Sequence, residues 1–267
     1  MIRAIVFDIG GVLEYTLETD WVSRWSRQFG LSVEQFNTVL NRETQAGMTT
    51  TLNEADLYQQ LADTFKTTTT QILAMMNDMW QEYLGTLNVE LDAYFRSLRP
   101  RFKTAILSNS FTGARERETA AYQFDQACDM ILYSHEIGLL KPDPRIYALL
   151  CERLECQPLE IIFLDDVEQN VRTACEHWIH GIQFQDNQQA INAIEKTIFA
   201  ASGELERCPI CRSVMQPDLI FEDGTALNDS QISSHSANVK GYGFFCPACQ
   251  QAWTGNELFA IHRSSQD

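Results

Sequence analysis

The chain is poor in positive charge. Lys and Arg total 20 against 36 Asp and Glu over 267 residues, a net charge of −16. A surface of that sign repels nucleic acid and anionic membranes across a Debye length. An anionic substrate therefore needs a metal or a lysine placed at its binding point. Long apolar runs are missing too: none approaches the ~18 residues of a membrane helix. Nothing at the start reads as a signal peptide, because the first segment is a strand closed by an acid. The expected location is the cytoplasm. Cysteine is sparse through the first two hundred residues. Cys128, Cys151, Cys156 and Cys175 are scattered, as buried thiols are.

What is present begins at the start. Ile5, Val6 and Phe7 make an apolar run too short for a helix and suited to a buried strand. It stops at Asp8, followed by Gly10 and Gly11. Ligands of open α/β sheets bind at the carboxyl ends of the strands, so Asp8 is either a turn carboxylate or a site.

From 14 to 99 the pattern is helical. Trp21, Trp25 and Phe29 repeat at helical spacing up to Gly30. Val33, Phe36 and Leu40 follow an N-cap at Ser32, and Leu57, Leu61 and Phe65 follow Asn53. Ile72, Met76, Trp80 and Tyr83 form a fourth stripe after the Thr67–Thr70 run. This span holds no Cys/His cluster and no nucleophile–base pair. Inserted after the first strand, it would stand over that strand's carboxyl end and act as a lid.

The period changes at 100. Thr104–Leu107, Met130–Tyr133 and Ile161–Leu164 read as buried strands and 144–154 as a helix opened by Asp143-Pro144. Helices follow through Trp178 and to about Phe199. The alternation predicts an α/β fold with a doubly wound parallel sheet. Asp8, Ser108 and the Asp165-Asp166 pair all directly follow apolar runs, so they should converge on one rim. Lys141 stands in Gly138-Leu139-Leu140-Lys141-Pro142-Asp143-Pro144, where two prolines fix the backbone. A carboxylate nucleophile, a hydroxyl, a lysine and clustered acids suit phosphoryl transfer, with Mg²⁺ as the natural partner of the acids.

These stretches resemble the haloacid dehalogenase superfamily of phosphatases, in the branch similar to the N-terminal phosphatase domain of soluble epoxide hydrolases. The resemblance covers roughly residues 1 to 200. It is most specific at Leu107-Ser108-Asn109-Ser110, at Tyr133 to Pro144, and at Phe163-Leu164-Asp165-Asp166-Val167-Glu168-Gln169-Asn170. It implies a core of residues 1–13 and 100–200, a helical cap of 14–99, and Mg²⁺-dependent hydrolysis of a small phosphorylated metabolite through an aspartyl-phosphate. By the same resemblance Asp8 is the nucleophile and a metal ligand. Ser108, with Asn109 beside it, and Lys141 bind phosphate. Asp166 is the carboxylate nearest the metal, Asp165 its neighbour that holds metal water, and Asn170 supports them. The family usually carries a general acid two residues after the nucleophile. Here that position is Gly10, whose carbonyl can still ligate the metal, while Glu14, water or a cap residue would have to supply the proton. The alternative is a catalytically weakened binding or regulatory protein.

Residues 205–267 read as a separate β module. Cys208-Pro209-Ile210-Cys211 and Cys246-Pro247-Ala248-Cys249 flank 34 residues. Two such knuckles predict a structural Zn²⁺ ribbon. Two redox disulfides are the alternative, and His235 and His262 are competing ligands. From residue 201 onward four Lys/Arg face eight Asp/Glu, so the ribbon is expected to contact a protein or a second copy rather than nucleic acid.

Overall fold

The computed structural model describes residues 1–49, 53–202, 216–221, 226–227, 239–246 and 251–254. They belong to two compact units, Arg3–Ile191 and a second formed by Met1–Ile2 with Asn192–Asp267.

The first unit starts with β1 (Ala4–Phe7), every residue of which is buried. A two-residue strand β2 (Glu14–Tyr15) leads into four helices, α1 (Trp21–Gln28), α2 (Val33–Thr49), α3 (Glu54–Phe65) and α4 (Thr69–Leu84). The chain returns through β3 (Thr86–Leu87) and α5 (Val89–Ser97). Then come β4 (Lys103–Ser108), α6 (Ala114–Tyr122), α7 (Phe124–Ala127), β5 (Met130–Tyr133), α8 (Ser134–Ile137) and α9 (Pro144–Leu154). The last part runs through β6 (Ile161–Asp165), α10 (Glu168–Glu176) and β7 (His180–Gln183) to the start of α11 (Asn187–Ala201), most of which belongs to the second unit. The sheet is parallel throughout, in the order β5-β4-β1-β6-β7. Strand order reverses around β1, the arrangement that opens a crevice at the carboxyl ends.

Local chemistry sets the helix ends. Ser32 Oγ accepts from Gln35 N at 3.1 Å while Gln35 Oε1 accepts from Ser32 N, a reciprocal cap. Asn53 and Thr68 accept from Asp56 N and Gln71 N. Gly30 takes φ +67, which ends the first helical stripe.

Two apolar cores result. Val6, Ala105, Leu107, Ile146, Tyr147, Leu150 and Phe163 fill one face of the sheet. Trp21, Trp25, Phe36, Leu57, Leu61, Met76 and Trp80 fill the space between α1, α2, α3 and α4. Each large side chain buried in this way contributes about 1.5–3 kcal/mol. The 14–99 span, expected on sequence to be a helical cap, includes α5. Phe95 of α5 stacks on Phe7 of β1 at 4.7 Å between ring centroids, so α5 packs on the sheet rather than with the four helices before it.

In the second unit β8 (Gln216–Phe221), β9 (Ala226–Leu227), β10 (Val239–Cys246) and β11 (Gln251–Thr254) form an antiparallel sheet in the order β11-β10-β8-β9. Cys208, Cys211, Cys249, His235 and His262 lie outside the described residues.

Candidate active site

The register of the sheet puts three strand ends level. Phe7 of β1 is opposite Ile106 of β4 and Leu164 of β6. Asp8 and Asp165 therefore leave the sheet side by side, Ser108 ends β4 two residues after Ile106, and Asp166 follows Asp165. Asp8, Asp165 and Asp166 can each place one oxygen within 4.8 Å of the others.

Lys141 completes the group. Its Nζ lies 2.8 Å from Asp8 Oδ1 and 2.7 Å from Asp165 Oδ2. Asn170 Nδ2 donates to both oxygens of Asp165 at 3.0 and 3.1 Å. The Val167 N–H, at 2.9 Å, also donates to Asp165 Oδ1. Asp165 is thus fully engaged. Asp8 Oδ1 accepts from Ile9 N at 2.8 Å as well. No hydrogen bond among the described residues uses Asp8 Oδ2. Ser108 is buried at the end of β4.

Asn109 differs from expectation. Its Oδ1 accepts from Lys141 N and its Nδ2 donates to Lys141 O, both at 2.8 Å. With both ends of the amide bound to that backbone, the side chain positions Lys141, and one Nδ2–H remains beyond these two bonds.

One ammonium faces three carboxyl groups here. Burial pushes the Asp8 carboxyl up, against the pull of Lys141 and with a further push from Asp165. Burial and then Asp165 raise Asp166 in the same way. Lys141 is held up by Asp8 and Asp165, although burial opposes its charge. A cluster with surplus negative charge and only hard oxygen donors fits Mg²⁺. Gly11 lets the acids come this close. It adopts φ +71, and a Cβ there would sit 2.5 Å from Asp166 Oδ2.

Residues 2–174 match the family model of the haloacid dehalogenase-like hydrolases. The chain belongs to that family. The sheet, with its crevice at the carboxyl ends, agrees. Among curated relatives, the D-ribitol-5-phosphate phosphatase of Bacteroides thetaiotaomicron is 28% identical over 189 residues, 66% of this chain and 88% of that protein. Acyl-CoA dehydrogenase family member 10 of Mus musculus is 27% identical over 206 residues, 72% of this chain. The chain spans only 19% of that mouse protein's length. A solved HAD family enzyme from Bacteroides thetaiotaomicron, complexed with magnesium and inorganic phosphate, superposes with a TM-score of 0.61 at 17% identity. The match covers 72% of this chain and 99% of that one. That likeness is one of fold.

This haloacid dehalogenase-like hydrolase carries two more buried acids near its strand ends. Glu14, in β2, is 3% exposed, and burial pushes it up to about 8. Its Oε1 accepts from Thr16 Oγ1 at 3.0 Å, and its Oε2 is buried with no hydrogen-bond partner. Glu118, on α6, accepts from Tyr83 Oη at 2.9 Å and from Tyr133 Oη. Burial pushes it up to about 7, against those two hydrogen bonds. In the sequence Glu14 is one of three possible proton sources, and nothing singles out Glu118. Arg115-Glu116-Arg117-Glu118 reads as a solvated helix face. Only the two tyrosines, distant in sequence, mark Glu118 as buried.

Proposed function

We propose that the chain is a Mg²⁺-dependent phosphatase that hydrolyses a small phosphomonoester through an aspartyl-phosphate on Asp8. The observation that carries this reading is the cluster of Asp8, Asp165 and Asp166 with Lys141 Nζ between two of them. Asp8, Asp166 and the Gly10 carbonyl would hold the ion, and Asp165 beside them would hold its water. When bound, Mg²⁺ supplies a Lewis acid that offsets charge on the transferring phosphoryl group.

The chain's own residues do the rest. Asp8 attacks phosphorus, and the bond from phosphorus to the ester oxygen breaks. Lys141 and the Ser108 hydroxyl stabilise the phosphoryl oxygens, and Lys141 keeps Asp8 ionised. Asn170 and Asn109 fix Asp165 and Lys141. Water then attacks phosphorus, which frees inorganic phosphate and restores Asp8.

We take α1 to α4 as the cap that closes over this rim. The activity of the D-ribitol-5-phosphate phosphatase relative supports a small phosphorylated polyol as substrate class. The likeness to the epoxide hydrolase branch belongs to the same reading. So does a four-thiolate zinc at Cys208, Cys211, Cys246 and Cys249, with a protein or a second copy as the ribbon's partner. No helix among the described residues is long and apolar enough to cross a membrane, and a cytoplasmic setting remains part of the proposal.

The absence of a carboxyl at Gly10 favours the second reading, a weakened binding protein of this fold. The intact geometry around Asp8 favours the enzyme. A screen of phosphorylated metabolites with and without Mg²⁺ tests it. Turnover that needs Mg²⁺ and disappears in Asp8→Asn supports the enzyme, and equal turnover by Asp8→Asn refutes it.

A further inference from the structure

The C-terminal end of α9 carries two cysteines that the site around Asp8 does not use. Cys151 is half-buried and Cys156 is buried, and both are free thiols. Between them Glu155 takes φ +54, in the left-handed region. The Cys156 N–H donates to Cys151 O at 3.2 Å, and inside that bond the Glu155 N–H donates to Glu152 O at 3.1 Å. These two nested bonds around a left-handed residue make a Schellman turn. Cys151 and Cys156 are its first and last residues, the two whose side chains such a turn brings together.

The turn is held from outside. Lys103 Nζ donates to Leu154 O at 2.7 Å, and Arg3 donates to Glu155 O at 3.3 Å. The backbone that presents the two thiols is thereby fixed in place. Cys156 Sγ donates back to Leu154 O at 3.4 Å. Burial pushes the Cys151 thiol up, and a charge on Cys156 pushes it further, as between near neighbours. Burial raises Cys156 too, against the pull of Arg3 and Lys103. A surface groove of about 330 Å³ opens onto the pair, lined by Cys151, Glu152, Glu155, Cys156, Gln157 and Pro158. A small molecule can therefore reach Cys151 while the helix stays folded.

We propose that Cys151 and Cys156 are a dithiol site, which small-molecule disulfides oxidise to an intramolecular disulfide. Cys151, the more exposed, reacts first. Its thiolate attacks one sulfur of the small disulfide, forms a mixed disulfide and releases one thiolate. The Cys156 thiolate then attacks Cys151 Sγ, and the second small thiolate leaves. The two cysteines lose two electrons and two protons, and the small disulfide gains them as two thiols. An excess of small thiol reverses both steps. Nothing in this exchange involves Asp8, so it stands or falls apart from the phosphatase reading.

The test uses the full chain and oxidised glutathione, without denaturant, at about pH 8.5, where buried thiols still ionise in part. Remaining thiols are then alkylated and the protein is cut with trypsin. Arg153 lies between the two cysteines, so trypsin separates peptide 146–153, which holds Cys151, from peptide 154–172, which holds Cys156. Mass spectrometry should find these two peptides joined, at their summed mass less two hydrogens, and separate again after reduction. Circular dichroism should not change on oxidation. Cys156→Ser should stop at a glutathione adduct on peptide 146–153. If that variant does not fold, the linkage in the wild type decides alone. Three results overturn the proposal: both peptides recovered alkylated, a glutathione adduct that persists on wild-type Cys151, or a link that forms only in urea.

Discussion

Lys141 Nζ lies 2.8 Å from Asp8 Oδ1, with both side chains buried. A buried ammonium among carboxylates is hard to replace. Its removal leaves Asp8 and Asp165 uncompensated, and breaking such a pair costs about 3–5 kcal/mol. Lys141→Met should lower unfolding free energy by about that amount in urea titrations without metal, and should abolish turnover. Lys141→Arg should fail in activity as well, because a planar fork cannot take the place of a compact ammonium. Full activity in either variant would exclude a role for Lys141.

The cation requirement has its own readout. Mg²⁺ should raise the melting temperature of the wild type, since a ligand that binds only the folded state stabilises it. The rise should vanish in Asp166→Asn and shrink in Asp8→Asn. An equal rise in all three proteins would place the ion elsewhere.

Neighbouring glycines should respond differently. Gly11→Ala forces a left-handed residue to carry a Cβ and drives it into Asp166. The backbone strain alone costs roughly 1–2 kcal/mol, and Mg²⁺ affinity should fall with it. Gly10→Ala meets only an ordinary contact at 3.6 Å and should stay near wild-type stability. Chemical denaturation of the pair checks this. Equal losses would refute the contrast.

Glu118 sets a pH dependence. Burial raises its carboxyl from 4.5 to about 7. Between those values the folded protein keeps a proton that the unfolded chain releases, so this group's contribution to stability falls as pH rises through the window. Glu118→Gln removes that loss. Measured at about pH 5 and about pH 8, its unfolding free energy should gain on the wild type by up to about 3 kcal/mol. Parallel pH profiles would show that Glu118 is ionised throughout.

The cysteine pairs make a separate prediction. Protein purified without chelator should carry one zinc per chain, lost in Cys208→Ser with Cys211→Ser and kept in Asp8→Asn. Four oxidised thiols without zinc would support the disulfide alternative instead.

The parallel sheet was legible because each strand announces itself. Ile5-Val6-Phe7, Ile106-Leu107 and Ile162-Phe163-Leu164 are apolar runs closed by a polar residue, and that polar residue is where a parallel sheet places its ligands. The helical stripes and their caps were equally plain. β2 and β3 were not. Two residues carry no period, and their pairing is set by the chain on either side. The role of α5 was hidden for a related reason. Its apolar spacing resembles that of α1 to α4, and only the stacking of Phe95 on Phe7 shows which core it fills. Asn109 sits next to Ser108 in sequence, yet its amide reaches Lys141, 32 residues away. No spacing rule encodes such a contact.

The pairing of β2 with β3 has one more consequence. Tyr15 lies directly opposite Thr86, and Glu14 opposite Leu87, in antiparallel register. That is the geometry of a hairpin, which a turn of two residues could close. Residues 16 to 85 therefore hang from the sheet as an oversized turn, joined at a single point of entry and exit. The chain enters and leaves that span at one place, so a change in the length of its helices leaves Glu14 opposite Leu87 and Tyr15 opposite Thr86.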